Sequence, residues 1–504
     1  MKTYLMFRGK DFDLKQPLPV HAPGLTQDLE LNTLLTAMAG KDEFLRSVVG
    51  KTIFEVLKTT DEIQYRQEIL KDCLKNPDIV RMLYQIPVEA SENKRKQWIS
   101  IFGLYPSGIL SSAIRMMEMF IDLLKTLKHV ADEHSGKFES EGFRRFFTMI
   151  KEELSDDYIA SVQHHLHELK FNNGALMSTS LGEGNEANDY VLHKPKKSSG
   201  LIKSVFEKRS PVYSYRLDPR DDQGARALGE LKDRGLNLVA NALAQSADHI
   251  DSFFLLMRIE LAFYIGCLNF YEQLKLINEP ITFPQTFAMD KRKLKFEGLY
   301  DVCLALTMKK GVVGNTINAD HKDLVMITGA NQGGKSTFLR GIGLAQLMMQ
   351  SGMFVPAESF SANICTHVFT HFKRKEDASM KSGKLDEELS RMSEIVDLIS
   401  PNALLLFNES FSATNEREGS EIAQQIVSAL LDKRVKIFFV THFYELASSF
   451  YLKQMANALF LRAERKSGGQ RTFKLIEAEP LQTSFGKDLY QKIANEYKGG
   501  NSSK

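Results

Sequence analysis

The sequence predicts a two-part fold, a mostly α-helical region over its first 280 residues and a C-terminal α/β region organised on a parallel sheet. Three observations predict it: apolar residues recur at helical spacing through most of the N-terminal half, three continuous apolar runs of strand length follow residue 320, and every sharp motif lies beyond that point. At 504 residues and roughly 150 per domain, the chain holds about three domains with ample material for real cores. Fractions of 43% hydrophobic and 25% charged residues exclude wholesale disorder and collagen-like or mucin-like character. A net charge of +2 excludes binding to nucleic acid or membrane by bulk charge, so any such surface is local.

From Asp28 to about Lys170, patterns such as Glu62, Ile63, Tyr65, Arg66, Ile69, Leu70 and Leu74 read as helices of a bundle, with breaks expected at Pro77, Pro87 and Pro106. From Asn172 to Arg220 the composition shifts to Gly, Ser, Asn and Lys, with strand-like pieces at Tyr190–Leu192 and Val212–Tyr215, which reads as loops with some strand. From Asp221 to Glu279 there is no proline, and Leu236, Val239, Leu243, Ile250, Phe254, Leu261, Ile265, Leu268 and Leu274 recur at helical spacing. This run reads either as one helix of about 40 residues, spanning roughly 60 Å, or as two packed helices broken near Gly266. Cys73, Cys267, Cys303 and Cys365 lie far apart in no metal-ligand spacing, which predicts free thiols in a reducing compartment. No apolar run approaches the 18 or so residues of a membrane span, and the start Met1-Lys2-Thr3-Tyr4-Leu5-Met6-Phe7-Arg8 meets charge too soon for a signal peptide. The expectation is a soluble, intracellular protein.

The central motif is Gly329-Ala330-Asn331-Gln332-Gly333-Gly334-Lys335-Ser336-Thr337, a full G-x-x-x-x-G-K-[ST] match. The apolar run Leu324–Thr328 precedes it as a strand, and Ser336–Gln350 follows as an amphipathic helix with Phe338, Leu339, Ile342 and Leu347. In that order the glycines let backbone N–H groups and a helix N-terminus face phosphates, Lys335 neutralises the β and γ oxygens, and Ser336 offers its hydroxyl to Mg²⁺. A second strand run, Ala403–Phe407, ends in Asn408-Glu409, and a third, Lys436–Val440, ends in Thr441-His442. Continuous apolar runs suit strands buried on both faces of a parallel sheet, with a helix over Glu421–Asp432 as the crossover. The polar residues then sit beyond the carboxyl ends of the strands, where ligands bind. Glu409 is placed to orient or deprotonate an attacking water, and His442 to sense the γ-phosphate.

Together, Thr328–Leu339, the following Gly352-Met353-Phe354-Val355-Pro356-Ala357, the pair Asn408-Glu409 with Gly419, and Thr441-His442-Phe443-Tyr444-Glu445-Leu446 resemble the ATPase domain of the MutS family of DNA mismatch repair proteins. The likeness covers about residues 312–488, closing on Ser484-Phe485-Gly486, and extends more faintly over the preceding helices. It implies a C-terminal ATP-binding-cassette-type P-loop ATPase domain preceded by a mostly α-helical core and lever. The division implied is a helical core over 1–170, an irregular, strand-containing, clamp-like insertion over 171–220, a long lever helix with its connector over 221–300 and the ATPase domain over 301–504. The resemblance also implies a homodimer whose composite sites set one phosphate loop against the other subunit's signature helix. That helix begins near Ser382-Gly383-Lys384, with Asp377 on the preceding loop, so Asp377, Ser382 and Gly383 join the expected nucleotide ligands.

Three departures shape the expectations. The acidic residue that precedes the catalytic glutamate in the family and helps hold Mg²⁺ is Asn408 here, which predicts weakened metal binding and slow turnover. The loop Phe411-Ser412-Ala413-Thr414-Asn415 lacks the family's usual glycines. The Phe-x-Glu that reads mismatches in the family's repair members is missing, since the N-terminus offers Phe7-Arg8-Gly9 and Phe12-Asp13-Leu14. About 28 residues precede the first helix-like segment, too few for a separate mismatch-reading domain, and the chain stops about 18 residues after Gly486, which leaves no room for the nuclease module of one bacterial branch.

For nucleic acid, residues 194–220 hold eight basic side chains, Lys194, Lys196, Lys197, Lys203, Lys208, Arg209, Arg216 and Arg220, against two acids, with Phe206, Tyr213 and Tyr215 interleaved. That composition suits phosphate contacts with some stacking, and equally a solvated loop. The resemblance implies a dimeric, ATP-gated clamp on mismatched, branched or otherwise structured DNA, with RNA open as a partner, ATP and Mg²⁺ as cofactors and no membrane partner. It places the chain in mismatch repair, recombination or a related DNA-structure-sensing process, without single-mismatch readout. The alternative is a nucleotide-gated scaffold on DNA or RNA with little or no hydrolysis. A transporter or chromosome-organising ATPase subunit is disfavoured by the absence of Leu-Ser-Gly-Gly-Gln and by a phosphate loop in the last third of the chain. The expected location is the cytoplasm, on the nucleoid if the source is bacterial.

Overall fold

The structure, a computed structural model, describes residues 1–98, 105–172, 174–194, 213–214, 216–374, 383–466 and 470–481. They form two compact units, one of residues 1–3, 78–138 and 143–258, the other of residues 4–77, 139–142 and 259–504.

The first unit is built on α5 (Pro77–Trp98), α6 (Pro106–His134), α7 (Glu141–Glu153) and α8 (Asp156–Leu169), a hairpin of β1 (Leu176–Leu181) and β2 (Ala187–His193), and the first two thirds of α9 (Asp222–Leu276). Pro77 and Pro106 stand at helix starts, where the missing N–H has no partner to lose. The break expected at Pro87 is not made, because α5 runs through it. An interior proline costs about 3 kcal/mol. The face of α5 carrying Val80, Leu83, Tyr84, Ile86 and Ala90 is buried, and each large apolar side chain returns about 1.5–3 kcal/mol. Burial therefore outweighs the break. Tyr190–Leu192 lies in β2, whereas of the second strand-like piece Tyr213 and Ser214 form no strand and Val212 and Tyr215 lie outside the described residues.

The run after Asp221 is one helix of 55 residues, so the alternative with a break near Gly266 is set aside. Its length is about 83 Å at 1.5 Å per residue. Gly266 serves close packing rather than flexibility: a Cβ there would sit 2.6 Å from Val49 Cγ1 and 3.4 Å from Met38 Cε. Contrary to expectation, α9 is also long and apolar enough to cross a membrane, but 78% of its most apolar window is buried inside the protein.

The second unit begins with α1 (Ala22–Asp28), earlier than expected, followed by α2 (Leu31–Ala39), α3 (Glu43–Phe54) and α4 (Thr60–Lys75). Thr59 caps α4 by accepting from the Glu62 N–H at 3.2 Å. The segment before α1 is tied inward: Tyr65 and Tyr264 donate to the Tyr4 and Leu5 carbonyls, and buried Arg66 donates from Nε to Met6 O at 2.9 Å. Phe7 and Phe12 are buried with their rings 6.4 Å apart.

The α/β part contains β3 (Gln285–Phe287), β4 (Leu294–Leu299), α10 (Val302–Met308), β5 (Asn315–Asn318), β6 (Leu324–Thr328), α11 (Lys335–Gln350), β7 (Ser359–Asn363) and β8 (Val368–Phe372). It continues through α12 (Lys384–Leu398), β9 (Leu404–Asn408), α13 (Glu416–Asp432), β10 (Lys436–Val440), α14 (Tyr444–Leu452), β11 (Ala458–Arg465) and β12 (Arg471–Glu477). A six-stranded sheet runs β12-β11-β6-β10-β9-β8, parallel except at the β12–β11 edge, beside a four-stranded sheet in the order β3-β7-β4-β5. The crossover α13 starts five residues before the expected Glu421, capped by Asn415 accepting from Glu418 N–H. All four cysteines are buried free thiols.

Two of the four glycines of α9, Gly229 and Gly266, predict opposite responses to one substitution. Alanine gains about 1 kcal/mol of helix propensity at either position, and nothing lies within 4 Å of a Cβ at Gly229. At Gly266 the collision with Val49 adds an overpacking cost of about 1–3 kcal/mol. Gly229→Ala is expected to raise the apparent melting temperature and Gly266→Ala to lower it, measured by differential scanning calorimetry.

Candidate nucleotide-binding site

β6, β10 and β9 lie side by side, and their register sets Ile327 against Val440 and Val440 against Asn408. All three strands therefore release their next residues at one edge. From β6 comes the loop Gly329–Gly334. Gly329 and Gly334 have φ of 111° and 91°, a region that disfavours any side chain. Gly334 is the N-cap of α11, so the first-turn amides of that helix open toward the loop.

Lys335 folds back over this loop and donates from Nζ to Gly329 O and Ala330 O, each at 2.9 Å. Burial pulls its pKa down to about 8, with Arg471 adding to the effect and Glu409 opposing it. Arg471 itself donates to the Gln332 side chain at 2.8 Å. Ser336 Oγ donates to Asn408 Oδ1 at 2.9 Å. That spacing is about the edge of an octahedron of oxygens held 2.0–2.1 Å from Mg²⁺, so the two neutral oxygens fit the ion by size, without a carboxylate's charge. No cluster of three His, Cys, Asp or Glu side chains suited to a metal occurs among the described residues.

Glu409 accepts from His442 Nε2 at 2.7 Å, both side chains about two-thirds buried at 31% and 27% exposure. A carboxylate only accepts, so Nε2 carries the proton. This bond, helped by the His442, Lys335 and Lys373 charges, holds the Glu409 pKa below the ordinary carboxylate range against the effect of burial.

The loop and Glu409 line a cleft of about 760 Å³ that also has an apolar wall of Tyr300, Leu304, Met308, Val312, Val313 and Phe473, the last lying against Gly334. The wall has its own supports. Asn315 donates to Phe473 O and accepts from Leu475 N, and Glu279 accepts from Val312 N–H at 2.9 Å. Gly311 leaves room for that carboxylate, since a Cβ there would lie 2.6 Å from Glu279 Oε1.

The structure thus brings together the whole run Gly329–Thr337 with Asn408, Glu409 and His442. Gly383 caps α12 with open space around it and does not line the cleft. Asp377 and Ser382 lie outside the described residues, as do Lys196, Lys197, Lys203, Lys208 and Arg209. Lys194 is exposed near Glu168 at 3.9 Å, and Arg216, Arg220 and Tyr213 are exposed. Sequence reasoning missed the apolar wall and Phe473; the only signal was Gly311-Val312-Val313 just before β5, and it names no ligand.

Two family models match: the MutS2 N-terminal domain over residues 58–277 and MutS domain V over residues 325–495. The chain is 23% identical to the DNA mismatch repair protein MutS of Streptococcus mutans, over 86% of this chain and 51% of that protein. It is 24% identical to the protein of the same name from Streptococcus gordonii, over 90% of this chain and 56% of that one. A shorter match, 31% identical, is to MutS protein homolog 4 of Mus musculus, over 33% of this chain and 17% of that protein. The chain belongs to the MutS family. It spans about half the length of the curated MutS proteins that it matches over most of its own length. The MutS domain V match encloses the phosphate-loop motif, Asn408, Glu409 and His442.

The lowered pKa of Lys335 gives a pH prediction with a definite sign. A bound polyanion raises that pKa, so binding at a pH above about 8 must take up a proton that the ligand-free lysine has already lost. Affinity for ATP is expected to be flat from pH 6.5 to 7.5 and to fall above pH 8, by up to about tenfold per unit. Titration calorimetry at pH 7, 8 and 9 checks it, and Lys335→Ala should bind at least tenfold more weakly at pH 7 and lose the pH dependence.

Proposed function

We propose that this chain is a dimeric, ATP-gated nucleic-acid clamp whose C-terminal region is an ATP-binding-cassette-type P-loop ATPase. The observation that carries the reading is the Glu409–His442 pair, fixed at 2.7 Å beside a phosphate-loop cleft of about 760 Å³. In this reading the loop amides and Lys335 bind the β and γ phosphates, and the apolar wall with Phe473 takes the nucleoside. Glu409, kept ionised and oriented by the His442 N–H, accepts a proton from the attacking water. Ser336 and Asn408 would hold Mg²⁺, which supplies positive charge against the phosphate oxygens when bound. The functional division proposed is 1–170 as helical core, 171–220 as clamp-like insertion, 221–300 as lever and connector, and 301–504 as ATPase.

Dimerisation through the ATPase regions, with Asp377, Ser382 and Gly383 of one subunit facing the nucleotide of the other, is part of the proposal, as is a cytoplasmic location. DNA is the proposed partner, because the matching relatives are named as DNA mismatch repair proteins. Burial of Phe7 and Phe12 removes both N-terminal phenylalanines as exposed stacking wedges, which supports binding without single-mismatch readout. Asn408 favours a second reading, a nucleotide-gated scaffold that hardly hydrolyses ATP, since a neutral amide stabilises the metal less than a carboxylate.

Steady-state hydrolysis measured against Mg²⁺ concentration separates the two. Turnover is expected well below about 1 per second with a raised Mg²⁺ requirement. Asn408→Asp is expected to speed it, and Glu409→Gln to remove a factor of about 10² or more while ATP still binds. A Glu409→Gln protein as active as the parent would remove Glu409 from the reaction.

DNA binding is expected to weaken steeply with salt and to show little preference for one mismatch over homoduplex. Changing Lys196, Lys197, Lys208 and Arg209 to Glu should weaken binding on every sequence and flatten the salt slope by about 0.9 for each phosphate that is no longer neutralised. Fluorescence anisotropy across a salt series reads both quantities, and a strong preference for a single mismatch would contradict the proposal.

A further inference from the structure

The backbone that carries Glu409 is unusual on both sides of Ser410. Glu409 and Phe411 have φ of 55° and 63°, so two non-glycine residues of one short turn sit in the left-handed region. Such a conformation persists only where its surroundings impose it. The Glu409 N–H is fixed to Val440 O at 2.9 Å, which secures one side of the turn.

The other side is secured through two residues far away in sequence. His371, fully buried on β8, has Nε2 at 2.9 Å from the carbonyl oxygen of Glu388 on α12. A carbonyl only accepts, so Nε2 carries the ring proton. Burial pulls the His371 pKa down to about 4, so the ring is neutral and its Nδ1 is an acceptor. At 2.8 Å from Nδ1 lies the hydroxyl of Ser410, the residue that follows Glu409, which is also within hydrogen-bond reach of the His371 carbonyl. The His371 ring stacks on Phe411 at 5.2 Å and 21°. The Glu409 turn is thus held by one imidazole, whose other hydrogen bond leads to α12.

We propose that His371 is a positioning residue that fastens the Glu409 turn to the Glu388 carbonyl on α12, so that the aim of the glutamate depends on the seating of that helix. Two features distinguish this from ordinary core packing. An apolar side chain would fill the space between β8 and α12 as well, whereas the neutral imidazole supplies one donor and one acceptor pointing to two different elements. The two left-handed residues also flank the one residue that the imidazole holds. The inference rests on the proposed role of Glu409 in hydrolysis, and its test has a readout that does not.

His371→Phe keeps the ring and its stacking while removing both imidazole hydrogen bonds, and Ser410→Ala removes the hydroxyl that contacts both the imidazole and the His371 carbonyl with the least disturbance. Hydrogen–deuterium exchange of the full chain is expected to rise at least tenfold over 409–412 in both variants, and over 386–392 in His371→Phe, with the peptide over 329–337 unchanged. Single-turnover hydrolysis is expected to fall tenfold or more with ATP affinity within threefold of the parent. In a Glu409→Gln background neither variant should lower the residual rate further. Unchanged exchange over 409–412 in both variants would overturn the proposal, as would a loss of rate that tracks loss of ATP affinity. Failure of the Proposed function shows differently, as full activity in Glu409→Gln itself, and leaves the exchange result to decide this inference alone.

Discussion

Burial of β6, β10 and β9 on both faces is the constraint from which the rest of the α/β unit follows. Leu324, Val325, Met326 and Ile327 are fully buried, as are Leu405, Leu406, Phe407, Ile437, Phe438, Phe439 and Val440. A strand closed on both sides has no room for a polar side chain until it ends. Lys436 is the exception, almost fully buried at the start of β10, where burial pulls its pKa down to about 8. The polar residues of the chain's chemistry are therefore pushed to the opposite ends, and the parallel register brings those ends together. Ser336, Asn408, Glu409 and His442 meet because their strands are dry, and the crossovers α11 and α13 serve as the covers that keep them so.

The same constraint explains how much of this site was legible in the sequence. Lys436–Val440 was readable to the residue, and Leu324–Thr328 with its loop equally so, because uninterrupted apolar runs and a glycine loop leave few alternatives. The apolar wall was not legible. Tyr300, Val312 and Phe473 come from three separated stretches, and their meeting depends on β4, β5 and β12 edges that carry no motif. His371, Glu388 and Ser410 were invisible for a related reason: each is a single residue, and their bonds need a tertiary arrangement that spacing does not encode.

In the helical region the departures from expectation have a common physical cause. Local signals at Pro87 and Gly266 argue for ending a helix, and in both places tertiary burial overrides them. Pro87 is carried by an apolar face on the same helix, while Gly266 is used for its lack of a side chain, which brings α9 against α3 near Val49. A breaker residue inside a long amphipathic run is read correctly only when the face it belongs to is known to be buried.

The nucleotide site also separates binding from chemistry. Lys335 is engaged by two neutral carbonyls and Ser336 by the Asn408 amide, so neither side chain waits unpaired for a ligand. A phosphate exchanges the lysine's neutral acceptors for anionic ones, which adds attraction between full charges to bonds that the ammonium already makes charge-assisted. That exchange is favourable. At Asn408 the corresponding exchange brings a cation against a neutral oxygen, where an aspartate would meet it with a full charge. In the proposed reading the chain keeps the strong half of the site, the part that would hold the anion, and carries a weakened version of the half that would hold the metal. On that reading nucleotide occupancy is better supported by these residues than rapid turnover.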